Sequence, residues 1–349
     1  MVIMTSSSKK DIRAISIEEI KEFMINNNEK PFRAKQVYEW LWKNSAVSFE
    51  EMTNLSKKTR ELLNSNFVIN SIKINSQQKS KDGTIKIAFG LFDGNVVEGV
   101  LIPSSDRMTA CISSQVGCAL ACKFCATGQF GFIRNLNFDE IYDQVVIISK
   151  TALNNYKIPL SNIVYMGMGE PMLNYKNVMK SVEIITSADG LVMSPQRITV
   201  STVGIATKIK QLGDDNVKFN LALSLHTANN KKRNNILPVN EQNSLEKLIE
   251  ALKYFHSKTN KRITIEYILF KNFNDSLSDA KELAVFCKNF PVKINIIEYN
   301  TVEGSGFSKA DNEKMNEFVD FMKSKNLIVN IRKSRGKDID AACGQLANR

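Results

Sequence analysis

The sequence predicts an α/β protein: a partial (βα)6 TIM-like barrel carrying a small N-terminal helical accessory domain. Two observations lead there. From about residue 104, short β-branched or alternating runs recur with helical patterns between them, and that alternation implies a parallel sheet. The unusual residues of this part fall just after the runs, at the strand ends where a βα barrel builds its site.

Taken in order, residues 1–68 are helical. IEEIKEFMINN, AKQVYEWLWKN and KKTRELLNSNF carry apolar positions at three-to-four spacing. Pro31 and the run Asn26-Asn27-Asn28 separate the first two. Trp40, Leu41 and Trp42 are expected to include core anchors rather than an RNA platform. Residues 69–103 change character: TIKIAF and NVVEGVLI flank the turn dipeptides Asp82-Gly83 and Asp93-Gly94, which predicts a linking hairpin or short sheet. Residues 104–349 form the core. Its candidate strands are MTACISS, NIVYMGMG, RITVSTVG, KFNLALSLH, RITIEYILF, VKINIIEYN and a last short one, LIVNIRKS. Helical patterns such as FDEIYDQVVIISK, SLEKLIEALKYFH, SDAKELAVFCKNF and DNEKMNEFVDFMKSK lie between them. In one of these, Leu245, Leu248, Ile249 and Leu252 make an apolar stripe behind Ser244 as N-cap.

The 349 residues are 43% hydrophobic and 24% charged, an ordinary globular composition that excludes disordered, collagen-like and low-complexity classes. No apolar run approaches the ~18 residues of a membrane helix. The start, MVIMTSSSKKDIRA, lacks the apolar core and cleavage site of a signal peptide. A cytoplasmic protein with no membrane partner is expected, and nothing argues for more than a monomer. The net charge of +11 suits a polyanionic partner, nucleic acid first, or a solvated lysine-rich surface. Local clusters stand at Lys231-Lys232-Arg233 and at Arg332, Lys333, Arg335 and Lys337.

Six cysteines are too few for a disulfide scaffold and indicate a reducing compartment. Cys118, Cys122 and Cys125 form a C-x3-C-x2-C loop after the first core strand, with no histidine nearby. Thiolates bind iron–sulfur clusters and zinc alike. A closed zinc site commonly takes four ligands, whereas three thiolates on a four-iron cluster leave one iron open for chemistry.

This loop, with Phe124 before its last cysteine, resembles the signature of the radical S-adenosylmethionine (radical SAM) superfamily. CISSQVGCALACKFCATG, GMGEP and DIDAACGQL together resemble the RlmN/Cfr family of RNA adenine methyltransferases. The match spans residues 98–346, and the N-terminal helical unit fits the family's accessory domain. Val116 and Pro171 favour the RlmN branch. Glu298 departs from the family's usual pattern at the strand end before Asn300.

The resemblance implies that Cys118, Cys122 and Cys125 hold one 4Fe-4S cluster. It implies SAM contacts at Gly169, Glu170, Ser201, Ser224, Leu225, His226 and Asn300. On residues alone, GMGEP is equally a tight βα turn and His226 a core histidine. By the same resemblance Cys343 accepts a methyl group from one SAM, and a radical from a second SAM activates that methyl for addition to adenine. Basic residues and Gly344 around Cys343 predict a mobile loop with an exposed, low-pKa thiolate. Cys111, otherwise strand core, becomes the thiol that pairs transiently with Cys343. Glu98 becomes an acid/base residue near the base. Cys287 is expected in the core. The implied partners are 23S rRNA, tRNA and an electron donor such as flavodoxin or ferredoxin. The implied reaction is methylation at adenine carbon 2. Methylation at carbon 8, and a non-catalytic RNA-binding protein with a zinc loop, are the open alternatives.

Overall fold

The computed structural model describes residues 9–347. Residues 1–8, which bear the expectation of no leader, lie outside the described residues, as do 348–349.

Three helices, α1 (Ile17–Asn26), α2 (Arg33–Trp42) and α3 (Lys57–Asn66), build the N-terminal unit. The α1 start is a capping box: Ser16 Oγ accepts from the Glu19 amide at 3.1 Å, and the Glu19 carboxylate accepts from the Ser16 amide at 2.7 Å. Trp42 is a buried anchor, packed edge-on against Tyr142 with ring centroids 5.2 Å apart. Trp40 is half-buried and donates to Asn54. Arg13 ties this unit down. Its buried guanidinium pairs with Asp139 and Asp143, each at 2.9 Å, on α4 (Phe138–Tyr156).

Ten strands form the main sheet, and their spatial order is their chain order. They are β1 (Lys73–Lys79), β2 (Ile85–Gly90), β3 (Val96–Pro103), β4 (Met108–Cys111), β5 (Asn162–Tyr165), β6 (Ile198–Thr202), β7 (Asn220–Ser224), β8 (Ile263–Leu269), β9 (Val292–Glu298) and β10 (Val329–Arg332). Strands β4 to β10 run parallel, as the βα alternation predicts. Strands β1 to β3, expected as a linking hairpin or short sheet, continue the main sheet antiparallel, with Val100 on β3 opposite Cys111 on β4. The short turn at 104–107 explains this, because so few residues allow only an antiparallel neighbour. Helices α5 (Tyr175–Thr186), α6 (Ala206–Asp214), α7 (Asn230–Ile236), α8 (Leu245–Thr259), α9 (Leu277–Cys287) and α10 (Asn312–Ser324) follow successive core strands. Cys287 is buried among the core residues as expected.

The sheet is open, with β1 and β10 at its edges. The strap after β10 bridges that side. Gly336 N–H donates to Asp82 at 2.9 Å, and Asp338 accepts from Ser80 Oγ and from Lys81 N–H in the β1–β2 turn. Burial would raise the Asp82 carboxyl, but the Gly336 and Thr84 amides hold it down to about 2. Among the described residues no helix is long and apolar enough to cross a membrane.

Candidate active site

A cavity of about 370 Å³ opens at the carboxyl ends of the parallel strands. Cys111, Cys118, Cys122, Cys125, Gly169, Glu170, Ser201, Ser224, His226 and Cys343 all line it. Residues more than 200 positions apart in the chain thus share one surface.

The cysteine loop is pinned by its backbone. Cys118 N–H donates to Gly131 O at 2.7 Å, Cys125 N–H to Cys122 O at 3.1 Å, and Lys123 N–H to Ile236 O at the end of α7 at 3.2 Å. Burial pushes the Cys118 thiol up to about 11 and Cys122 well above the ordinary thiol value. Such thiols ionise only when a cation compensates them, which is what bound iron or another soft metal does. Three thiols from one loop that line one cavity are a donor set that fits a 4Fe-4S cluster.

The GMGEP turn follows β5 and presses on the cysteine loop. Gly169 has φ +93°, and a Cβ there would lie 2.5 Å from the Gln115 Cβ. The tight-turn reading therefore holds, and the same turn lines the cavity. Gly169→Ala is expected to cost roughly 1–3 kcal/mol from backbone strain alone, seen as a lower urea midpoint; an unchanged midpoint would refute the crowding.

Glu170 is buried. Its Oε1 accepts from Met172 N–H at 3.0 Å and its Oε2 from Val203 N–H at 2.9 Å. Burial raises its carboxyl to about 7 even though these amides pull it down. Ser201 and Ser224 hydroxyls meet at 3.1 Å. His226 Nδ1 accepts from Ile268 N–H at 3.2 Å, so its proton sits on Nε2. Burial drives the His226 pKa to about 3 and keeps the ring neutral, edge-on to Phe124.

Cys343 lies on a loop stitched to the cysteine loop. Ala126 N–H donates to Gly344 O at 2.8 Å, Thr127 Oγ1 to Leu346 O at 2.6 Å, and Asn300 Nδ2 to Cys343 O at 3.3 Å. The expected mobile loop is therefore a tied one. The exposed surface of Cys343 faces the cavity. Burial by the surrounding walls raises its thiol while Arg332 pulls it down, so the expected low-pKa thiolate is absent. Burial pushes Cys111 up to about 12, with a further rise from Cys343 and an opposing pull from Arg332. Both are free thiols.

Three expected contacts fall elsewhere. Leu225 is fully buried core rather than cavity wall, and its carbonyl accepts from Arg233 Nε. Asn300 sits behind the Cys343 loop, its Oδ1 buried without a partner. Glu98 is buried off the cavity, where it pairs with Lys86 at 3.3 Å and accepts from Ala347 N–H at 2.9 Å. Glu298 anchors its strand end by pairing with Lys309 and Lys337.

The basic clusters divide. Arg233 is fully buried and Lys232 is paired with Asp279 at 2.6 Å, which leaves Lys231 as the exposed cation of the 231–233 cluster. Lys333 and Arg335 are exposed and line the cavity mouth with Arg332 and Arg107. Arg107 and Arg233 were not singled out as parts of the site, because neither a turn residue nor a buried cation carries a local sequence signal.

Residues 10–69 match the ribosomal RNA large subunit methyltransferase N-terminal domain, and residues 112–284 match the radical SAM superfamily. A protein of Cytophaga hutchinsonii named as a probable dual-specificity RNA methyltransferase RlmN is 58% identical, over 98% of this chain and 94% of its own length. The dual-specificity RNA methyltransferase RlmN of Geotalea uraniireducens is 42% identical, over 98% of this chain and 97% of its own. The crystal structure of a radical SAM methyltransferase from Sphaerobacter thermophilus superposes with a TM-score of 0.91 at 35% identity, covering 97% of this chain and all of that one. With both units of the chain matched and near-complete coverage of such relatives, the chain belongs to the RlmN family of radical SAM RNA methyltransferases.

Proposed function

We propose that this chain methylates carbon 2 of an adenosine in 23S rRNA near the peptidyl-transferase centre, and of the adenosine 3′ of the anticodon in tRNA. The observation that carries this reading is the meeting of Cys118, Cys122 and Cys125 with Cys111 and Cys343 on one cavity.

In this reading Cys118, Cys122 and Cys125 hold the cluster, and Gly169, Glu170, Ser201, Ser224 and His226 wall the SAM pocket. Leu225 and Asn300 act from behind it. When bound, the cluster and two molecules of SAM per turnover supply a methyl group and a hydrogen-abstracting radical. Cys343 loses its proton with help from Arg332 and accepts the methyl group on sulfur, forming S-methylcysteine. With one hydrogen of that methyl abstracted, its carbon bonds to carbon 2 of the adenine ring, which is electrophilic and closed to ordinary methyl transfer; the adduct then gives back one electron and loses the carbon-2 proton. Cys111, as a thiolate, attacks the Cys343 sulfur; the sulfur–carbon bond breaks, its electron pair stays with the product carbon and takes up a proton to complete the methyl group, and a disulfide joins the two cysteines. Glu98 contributes by anchoring Ala347, just beyond Cys343. Flavodoxin or ferredoxin is the proposed electron donor. The working protein is a cytoplasmic monomer with an accessory unit at 1–68, connecting strands at 69–103 and a core at 104–349. Nucleoside mass spectrometry after incubation with SAM and RNA should find 2-methyladenosine; 8-methyladenosine would overturn the position.

The rim cations of Arg107, Lys333 and Arg335 suit phosphates flanking an adenine drawn into the cavity. Three such contacts predict roughly a 40-fold loss of RNA affinity between 50 and 200 mM salt. Lys333→Glu with Arg335→Glu should weaken binding and flatten that slope in filter-binding titrations with tRNA. A double variant with the wild-type slope would place the RNA elsewhere.

A further inference from the structure

Arg233 on α7 is the largest fully buried side chain among the described residues. Arg13, the other buried arginine, is surrounded by aspartates. Arg233 is held by neutral acceptors alone. Its Nε donates to Leu225 O at 3.2 Å, Nη1 to Asn240 Oδ1 at 2.6 Å, and Nη2 to Val203 O. Among the described residues no carboxylate lies within ion-pair distance of it. The nearby Glu170 spends its oxygens on the Val203 and Met172 amides instead.

A buried cation without an anion is costly, and a fold keeps one only where an anion arrives. The place of Arg233 says which anion. The end of its helix accepts from the Lys123 amide inside the cysteine loop. Ile236 and Leu237, just after it, pack with Cys122 and Phe124. Val203, whose carbonyl it holds, lines the cavity. The field of the guanidinium also falls on Cys122, whose thiol it pulls down against the dominant effect of burial.

We propose that Arg233 is a positioning residue whose buried charge stabilises the one-electron-reduced state of the thiolate-held cluster. The inference rests on the reading of Cys118, Cys122 and Cys125 as cluster ligands. Reduction takes one electron from an external donor, moves no proton, and makes the thiolate-held cluster one charge more negative. Nearby charge and hydrogen bonding are recognised determinants of such potentials. Arg233 supplies that charge from behind the wall, touching neither SAM nor RNA.

The test uses the full chain with iron and sulfide reconstituted anaerobically, without SAM or RNA. Dithionite titrations with viologen mediators, followed by electron paramagnetic resonance, give the midpoint potential. Arg233→Gln removes the charge. Asn240→Asp leaves the arginine in place but sets a carboxylate against Nη1, cancelling the charge with little change of shape. Each should lower the reduction equilibrium constant about tenfold, which for one electron is ~59 mV more negative. Arg233→Lys should stay near wild type because it keeps the charge. Wild-type midpoints in both charge-cancelling variants would overturn the proposal. So would failure of Arg233→Gln and Arg233→Lys to bind iron while Asn240→Asp keeps the wild-type potential, since that pattern marks a purely structural arginine. A wild-type chain that takes up no iron and sulfide would instead sink the ligand assignment on which the proposal stands.

Discussion

Cys111→Ala is expected to accumulate as a covalent protein–RNA adduct, whereas Cys343→Ala should form none. The two thiols line one cavity, and both feel the charge of Arg332, so their different jobs must be separated by chemistry. In the proposed sequence Cys343 accepts the methyl group, and without it no bond to RNA can form. Cys111→Ala leaves that transfer and the addition to adenine intact. The base is then joined through one carbon to the Cys343 sulfur, and release requires a thiolate to attack that sulfur. Without Cys111 the bond persists. On a denaturing gel the variant should show a nuclease-sensitive shifted band, absent from Cys343→Ala and from the double variant. Turnover should fall by orders of magnitude in both single variants. Normal turnover of Cys111→Ala, or an adduct in the double variant, would show that these roles are misassigned.

Removal of any one of the three loop thiols is the second large effect. Cys118→Ala, Cys122→Ala and Cys125→Ala should each lose the cluster and all activity. In the proposed function the site has no spare ligand, because Cys111 and Cys343 are assigned to the reaction, and Cys287 is buried in the core. The fold should survive, since the loop is held by backbone bonds from Cys118, Lys123 and Cys125 that alanine retains. Anaerobic reconstitution and visible absorption measure the outcome. A variant that keeps the broad thiolate-to-iron band and full activity would remove that cysteine from the ligand set.

Much of this was legible in the chain itself. The inner parallel strands β6 and β8 appear as β-branched runs because burial on both faces demands apolar residues. The cysteine loop and GMGEP stand at strand ends, and a parallel βα sheet brings all such ends to one side. That topology gathers Cys111, Cys118, Cys122, Cys125, Gly169, Glu170, Ser201, Ser224 and His226 from their order alone. Their types then limit the chemistry to soft-metal ligation and sulfur nucleophiles.

Other features depended on distant partners that no local pattern records. Whether residues 69–103 linked two parts or widened one sheet was settled by the pairing of Val100 with Cys111 across a short turn. Glu98, given an acid/base role only by the resemblance, has its oxygens taken by Lys86 and the Ala347 amide. The Cys343 loop, glycine-flanked and basic, suggested motion and a low pKa. Its bonds to Ala126, Thr127 and Asn300 give a held loop, and although Cys343 stays exposed to the cavity, the surrounding walls raise its thiol. Lys231-Lys232-Arg233 showed the same limit most sharply: one lysine faces solvent, the next pairs with Asp279, and the arginine turns into the core. Periodicity and residue type are properties of neighbouring positions and survive in the bare sequence. Burial, charge compensation and the free or committed state of a side chain arise only when remote segments meet, because the energy of a charge is set by what surrounds it.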